Sequence, residues 1–229
     1  MPAEIVLYHC VGARSFRPLW ALEELDLPYQ LVVLPFPPRA HGKEFFAVNS
    51  LGTVPAMTVG GATLTESVAI CEYLAASFGA GRFSVDRSSP EFPNYLNWLH
   101  SGDATLTFPQ TIVLRYGRFE SPARQIPQAV EDYATWFIAR TRRLAECLDS
   151  RQFVCGARFT AADISVGYAL ALADYLGLME RLDDRILAYW HRLRGRPAFQ
   201  RALAAETRVA LEQGVDPTPA PLLEYRQTQ

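Results

Sequence analysis

Lysine is almost missing from this sequence: Lys43 is the only one, so 21 of the 22 cationic residues are arginine. Those 22 charges face 24 acidic ones, leaving a formal net charge of −2. No global basic field exists to gather nucleic acid or anionic lipid. Cysteine is scarce too. Cys10, Cys71, Cys147 and Cys155 lie far apart, with no CxxC and no Cys–His pair at metal spacing. That excludes a disulfide scaffold, gives no reason to expect a metal, and points to a reducing compartment. Long apolar runs are missing as well. The longest uncharged window, 45–65, is broken by Asn49, Gly52, Pro55, Gly60 and Gly61, which does not suit a membrane helix. Met1-Pro2-Ala3-Glu4 opens straight into a strand-like run, without the basic and then apolar stretch of a secretion signal. A soluble, cytoplasmic protein is expected.

What is present is apolar substance: 49% of 229 residues, enough to bury a large core in one domain or two. Residues 1–80 alternate strand and helix signals. Ile5 to Tyr8 is a short β-branched and aromatic run, and Arg17 to Leu27 carries apolar residues at helical spacing, ended by Pro28. Leu31 to Leu34 reads as a buried strand. Ala56 to Val59 and Ala62 to Leu64 flank Gly60-Gly61, a two-residue hairpin turn. Glu66 to Phe78 is a further helix, so the order is β-α-β-(α)-β-β-α. Residues 90–210 show helical periodicity only, over 91–117, 126–149, 161–176, 183–194 and 197–208. The best-marked start is Phe159-Thr160-Ala161-Ala162-Asp163-Ile164. Thr160 can cap it, Asp163 can return the bond, and Phe159 can staple onto Ile164. The apolar run behind it marks a central, buried helix. Residues 80–90 form the linker. A proline-rich tail over 211–229 is expected to lie on the surface or stay disordered.

Three motifs combine: Asn49-Ser50-Leu51-Gly52-Thr53-Val54-Pro55-Ala56 ahead of the hairpin, Leu64-Thr65-Glu66-Ser67 at a strand-to-helix junction, and the Phe159–Ile164 box. Together they resemble the cytosolic glutathione transferases of bacterial and fungal type. The resemblance implies an N-terminal α/β, thioredoxin-like domain with a cis-proline, then an all-α helical bundle. It implies glutathione as co-substrate, a hydrophobic electrophile as second substrate, a homodimer, and a role in detoxification. A cis Pro55 would turn the N–H and C=O of Val54 outward to pair with an extended peptide; Thr53 lies beside them. Glu66 can accept the α-ammonium of the γ-glutamyl group, and Ser67 adds a hydroxyl at a helix start that favours carboxylate. The plainer reading makes Ser67 or Thr65 the N-cap and Glu66 an acid suited to the helix dipole.

The glycine carboxylate needs a cation, with Arg39, His41 and Lys43 as candidates. The resemblance implies a hydroxyl or thiol donor after the first strand, where a charge-assisted hydrogen bond stabilises the thiolate. The aligned positions fall on or before Gly12, Ala13 and Arg14, leaving Ser15 as the candidate donor and Arg14 as a charge partner. Ser15 could equally cap the first helix. Cys10 carries the rival reading, a glutathione-dependent thiol–disulfide oxidoreductase. A non-catalytic glutathione-binding protein is the third. Tyr8, Cys10, Val11, His100, Asp103, Thr107, Phe108 and Tyr116 are candidates for the electrophile site.

Overall fold

The computed structural model describes residues 4–41 and 43–224, excepting the His41 side chain. They fall into two compact units, one within Met1–Ser84 and Arg194–Ala220, the other within Val85–Leu193 and Pro221–Gln229. The helix at 197–208, predicted alongside the rest of 90–210, thus groups with the first unit.

In the first unit β1 (Ile5–His9), α1 (Phe16–Leu25) and β2 (Gln30–Val33) form a parallel β-α-β. A short helix α2 (Pro38–His41) and a 3-10 turn (Lys43–Ala47) follow, then β3 (Ala56–Val59), β4 (Ala62–Leu64) and α3 (Ser67–Phe78). The sheet order is β2-β1-β3-β4, with β3 antiparallel to both neighbours. This is the thioredoxin-like arrangement the resemblance implies. The hairpin turn is made as expected: Gly60 (φ 54°) and Gly61 (φ 82°) both occupy the left-handed region that a two-residue turn of matching twist requires. Helix α1 stops before Pro28 because Asp26 turns left-handed (φ 54°) and Leu27 N–H returns to the Leu22 carbonyl. α9 (Pro197–Glu212) packs on α1, where Phe199 meets the rings of Phe16 and Trp20 edge-on at 5.2 and 4.9 Å.

The second unit is helical. The helix expected over 91–117 is subdivided into α4 (Phe92–His100), a π-helical stretch (Ser101–Thr107), α5 (Phe108–Leu114) and a π-helical turn (Arg115–Phe119). Periodicity marks the continuous apolar face but does not register the widened hydrogen-bond pattern. α6 (Pro127–Leu148), α7 (Ala161–Tyr175) and α8 (Asp184–Arg194) complete it. α7 is buried throughout Ala161–Ala173, as its composition predicts. It lies so close to the π-helical stretch that a Cβ on Gly102 would stand 2.5 Å from the Ser165 backbone. Phe159 stacks edge-on against Phe153, at 5.7 Å. The stretch from Gly214 is not a free tail throughout: Ala220 is buried, and its N–H donates to the Val11 carbonyl at 2.7 Å.

Candidate active site

One end of the sheet gathers the motif residues. β3 pairs Met57 with Leu64 on one side and Ala56 with Tyr8 on the other. Carried two residues beyond those ladders, the same registers would set Val54 across from Cys10 and Pro55 across from Glu66, and one residue further Val54 across from Ser67. The Val54–Pro55 peptide is cis, as the resemblance implies; Phe36–Pro37 is cis as well. Val54 precedes β3, and neither its N–H nor its C=O is hydrogen-bonded to any described residue. Asn49 shapes the approach. Its amide donates to the Thr53 carbonyl at 2.7 Å, and its oxygen accepts from Leu51 N–H at 3.1 Å. Thr53 itself is exposed and Pro55 buried.

Glu66, rather than Ser67 or Thr65, occupies the N-cap position of α3, with extended backbone (φ −91°, ψ 120°) and no side-chain capping bond. Its exposed carboxylate has no cationic partner among the described residues. Ser67 is the first helical residue and is buried. Its hydroxyl oxygen accepts from the Arg17 guanidinium at 3.1 Å, which leaves the hydroxyl hydrogen for another acceptor. Arg17 is fully buried on α1 and was no candidate in the sequence; its signal is a charge inside an otherwise apolar helix stripe. Lys43 and Arg39 are exposed and form no ion pair with a described residue. The His41 side chain lies outside the described residues.

The turn after β1 corrects two expectations. Ser15 is fully buried; its oxygen accepts from Cys10 N–H at 3.2 Å and its hydroxyl donates to the Cys10 carbonyl at 3.4 Å. It occupies the N-cap position of α1 without making a capping bond. Ser15 therefore braces the turn and offers no surface to a ligand thiol. Cys10 is fully buried beside the Pro35 carbonyl, and burial pushes its thiol up to about 12. That is the reverse of what a nucleophilic thiol, or a wall of the electrophile site, needs. Val11 is buried as well, Arg14 half-buried, and Tyr8 half-buried with its ring 5.4 Å from that of Phe45.

The other electrophile candidates belong to the second unit. His100 is exposed. Thr107 is buried and donates its hydroxyl to the Gly102 carbonyl at 2.7 Å, so it is committed to its own helix. Phe108 is 47% exposed and meets Trp136 edge-on. Tyr116 lies half-buried under the Arg115 guanidinium. Among the described residues no cluster of three or more His, Cys, Asp or Glu could hold a metal ion.

Comparison with known proteins agrees with this geometry. Residues 13–77 match the family described as glutathione S-transferase, N-terminal domain. The glutathione S-transferase GstA of Escherichia coli O157:H7 is 29% identical over 87% of this chain and 98% of its own. Glutathione S-transferase 3 of Schizosaccharomyces pombe is 26% identical over 88% of this chain and 87% of its own. A sphingomonad glutathione S-transferase, solved in complex with glutathione, superposes with a TM-score of 0.75 at 26% identity, covering 87% of this chain and 98% of its own. The chain is therefore similar to the glutathione S-transferases, with their N-terminal domain matched over residues 13–77 and their fold along most of its length.

Proposed function

We propose that the protein is a glutathione transferase that ionises the glutathione thiol for attack on a hydrophobic electrophile. The observation that carries this reading is the N–H and C=O of Val54, bonded to no described residue and just ahead of β3, together with the Glu66 carboxylate, which has no cationic partner among the described residues. The cysteinyl unit of glutathione pairs with Val54 as a strand would. Glu66 takes the α-ammonium, Ser67 donates to the γ-glutamyl carboxylate, and Lys43, Arg39 or His41 meets the glycine carboxylate. The thiol then points toward the turn between β1 and α1. α1 has no acidic residue in its first turn, so its dipole favours an anion there, assisted by Arg14. An unperturbed thiol of pKa about 8.5 is mostly protonated at pH 7, and each unit of depression needs about 1.4 kcal/mol of preferential thiolate stabilisation. The helix terminus and one charge-assisted contact suffice for that. The electrophile would meet an apolar surface, and the enzyme would work as a cytoplasmic homodimer. Among the described residues no helix is long and apolar enough to cross a membrane.

Titrating the thiolate ultraviolet absorbance of bound glutathione tests the reading. The apparent pKa should fall at least one unit below that of the free tripeptide, so conjugation rates should rise with pH around that lower value. A bound thiol titrating like free glutathione would leave only a binding protein. A second measurement separates the rival thiol chemistry. Cys10→Ser should keep conjugation within about twofold, because a buried thiol held near 12 supplies no thiolate. Loss of turnover in that variant would instead favour the oxidoreductase.

A further inference from the structure

Helix α9 carries an acid where its pattern calls for an apolar residue. Ala202, Ala205, Val209 and Ala210 share its buried face with Glu206, which is 2% exposed. A carboxylate buried there costs more than a hydrophobic replacement unless it makes specific bonds. Glu206 makes two, both through Oε2: it accepts from Gly12 N–H at 3.0 Å and lies 2.9 Å from Nε2 of His9, itself fully buried. His9 Nδ1 is buried with no hydrogen-bond partner, which suits the tautomer that carries its proton on Nε2 and donates to Glu206.

We propose that Glu206 is a positioning residue for the turn that receives the glutathione thiol; the inference rests on the function proposed above. The turn is held from two sides. Ser15 grips both ends of the Cys10 residue, and Glu206 fixes its apex at Gly12, whose φ of 68° is left-handed. Ala13 N–H closes the turn on the Cys10 carbonyl at 3.0 Å. The carboxylate is itself held in place. Beyond the last turn of α9, the Gln213 amide accepts from Val33 N–H at 2.8 Å and donates to the Leu31 carbonyl at 2.9 Å, closing on the edge strand β2. With Phe199 packed on α1, the helix is fastened on either side of Glu206: to α1, which follows the turn, and to β2, the strand paired with β1. Glu206 thereby sets the turn's amides and the start of α1 against the sulfur without touching glutathione, whose backbone is held by Val54, Glu66 and Ser67.

Glu206→Met tests this, since it keeps the chain length and leaves neither Gly12 N–H nor His9 Nε2–H an acceptor. The expected result is a fall of about fivefold to tenfold in kcat with KM for glutathione within threefold. The bound thiol pKa should rise toward the free value. Amide hydrogen exchange of the free protein should quicken over residues 10–15 while β3 and α3 stay protected. Should the variant fold poorly, Glu206→Asp, which keeps the charge at shorter reach, is read in the same way. Unchanged exchange over 10–15 overturns the proposal. So does loosening throughout the first unit with kcat and KM worsening together, because that marks a merely structural acid. The exchange measurement needs no glutathione, so its outcome is separate from that of the wild-type thiol titration on which the functional reading stands.

Discussion

Asp163→Ala should lower the unfolding temperature of the second unit by roughly 10–15 °C at neutral pH. The carboxylate is fully buried and ties three segments together. Oδ1 accepts from Val154 N–H at 3.0 Å and from the Tyr189 hydroxyl of α8 at 2.7 Å. Oδ2 accepts from the N–H and hydroxyl of Thr160, at 2.8 and 3.1 Å. Alanine strands these donors, and each buried unpaired donor costs about 1–3 kcal/mol. The two hydroxyls can turn to other acceptors, but the two backbone N–H groups cannot. A net loss on the order of 4 kcal/mol follows, which for a unit of this size gives the stated shift. Trp98, Trp136 and Trp190 lie in the second unit, so tryptophan fluorescence during heating reads it directly. A change under about 3 °C would mean that Asp163 is no keystone.

The same residue links stability to pH. Burial pushes its carboxyl up to about 6, although the bonds from Val154, Tyr189 and Thr160 pull the other way. Because the folded state holds the proton more tightly than the unfolded chain, with its carboxyl near 3.9, stability falls as pH rises from about 4 to about 6. The loss is on the order of 3 kcal/mol and is complete above that window. Asp163→Asn does not titrate, so the stability gap between wild type and this variant should narrow across the same window. A gap that widens with pH would contradict the assignment.

The contrast between Asp163 and Glu206 shows what is legible in such a sequence. Thr160 and Asp163 stand three residues apart at the head of an apolar run, so their mutual bond is a local pattern. The Gly60-Gly61 hairpin and the Val-Pro step before it are local too. Glu206 and His9 stand 197 residues apart, and Arg17 and Ser67 are separated by 50. Nothing in either neighbourhood announces the partner, beyond a charge set in an apolar stripe. The α9 stripe also looks like any helix of the 90–210 region, because periodicity records that a face is buried and not what covers it. Ser15 misleads for the opposite reason. Its neighbourhood is right for a donor at a helix start, but whether a hydroxyl faces a ligand or its own chain depends on the turn geometry, which residue types alone do not specify.

Glu66→Ala should weaken glutathione binding by roughly 10-fold to 100-fold, since a hydrogen bond to a charged group contributes about 1.5–3 kcal/mol. Loss of affinity alone would not establish the ammonium contact, because a cap residue could loosen α3 and act indirectly. The structure weighs against that route, as the Glu66 side chain makes no capping bond. The decisive measurement pairs the variant with N-acetylated glutathione, which lacks the ammonium charge. Wild type should bind the acetylated peptide poorly, whereas Glu66→Ala should scarcely distinguish it from glutathione, because the group that recognised the charge is gone. Equal losses for both peptides would place Glu66 outside the contact. Ser67→Ala should give the complementary pattern: weaker binding of both peptides, since each retains the γ-glutamyl carboxylate. It also removes the hydroxyl that accepts from the buried Arg17 guanidinium, so some loss of stability should accompany the loss of affinity. Ser67→Thr, which keeps the hydroxyl, should restore most of both. A ligand contact and a brace for Arg17 are then separated by which peptide each variant discriminates, not by how much binding is lost.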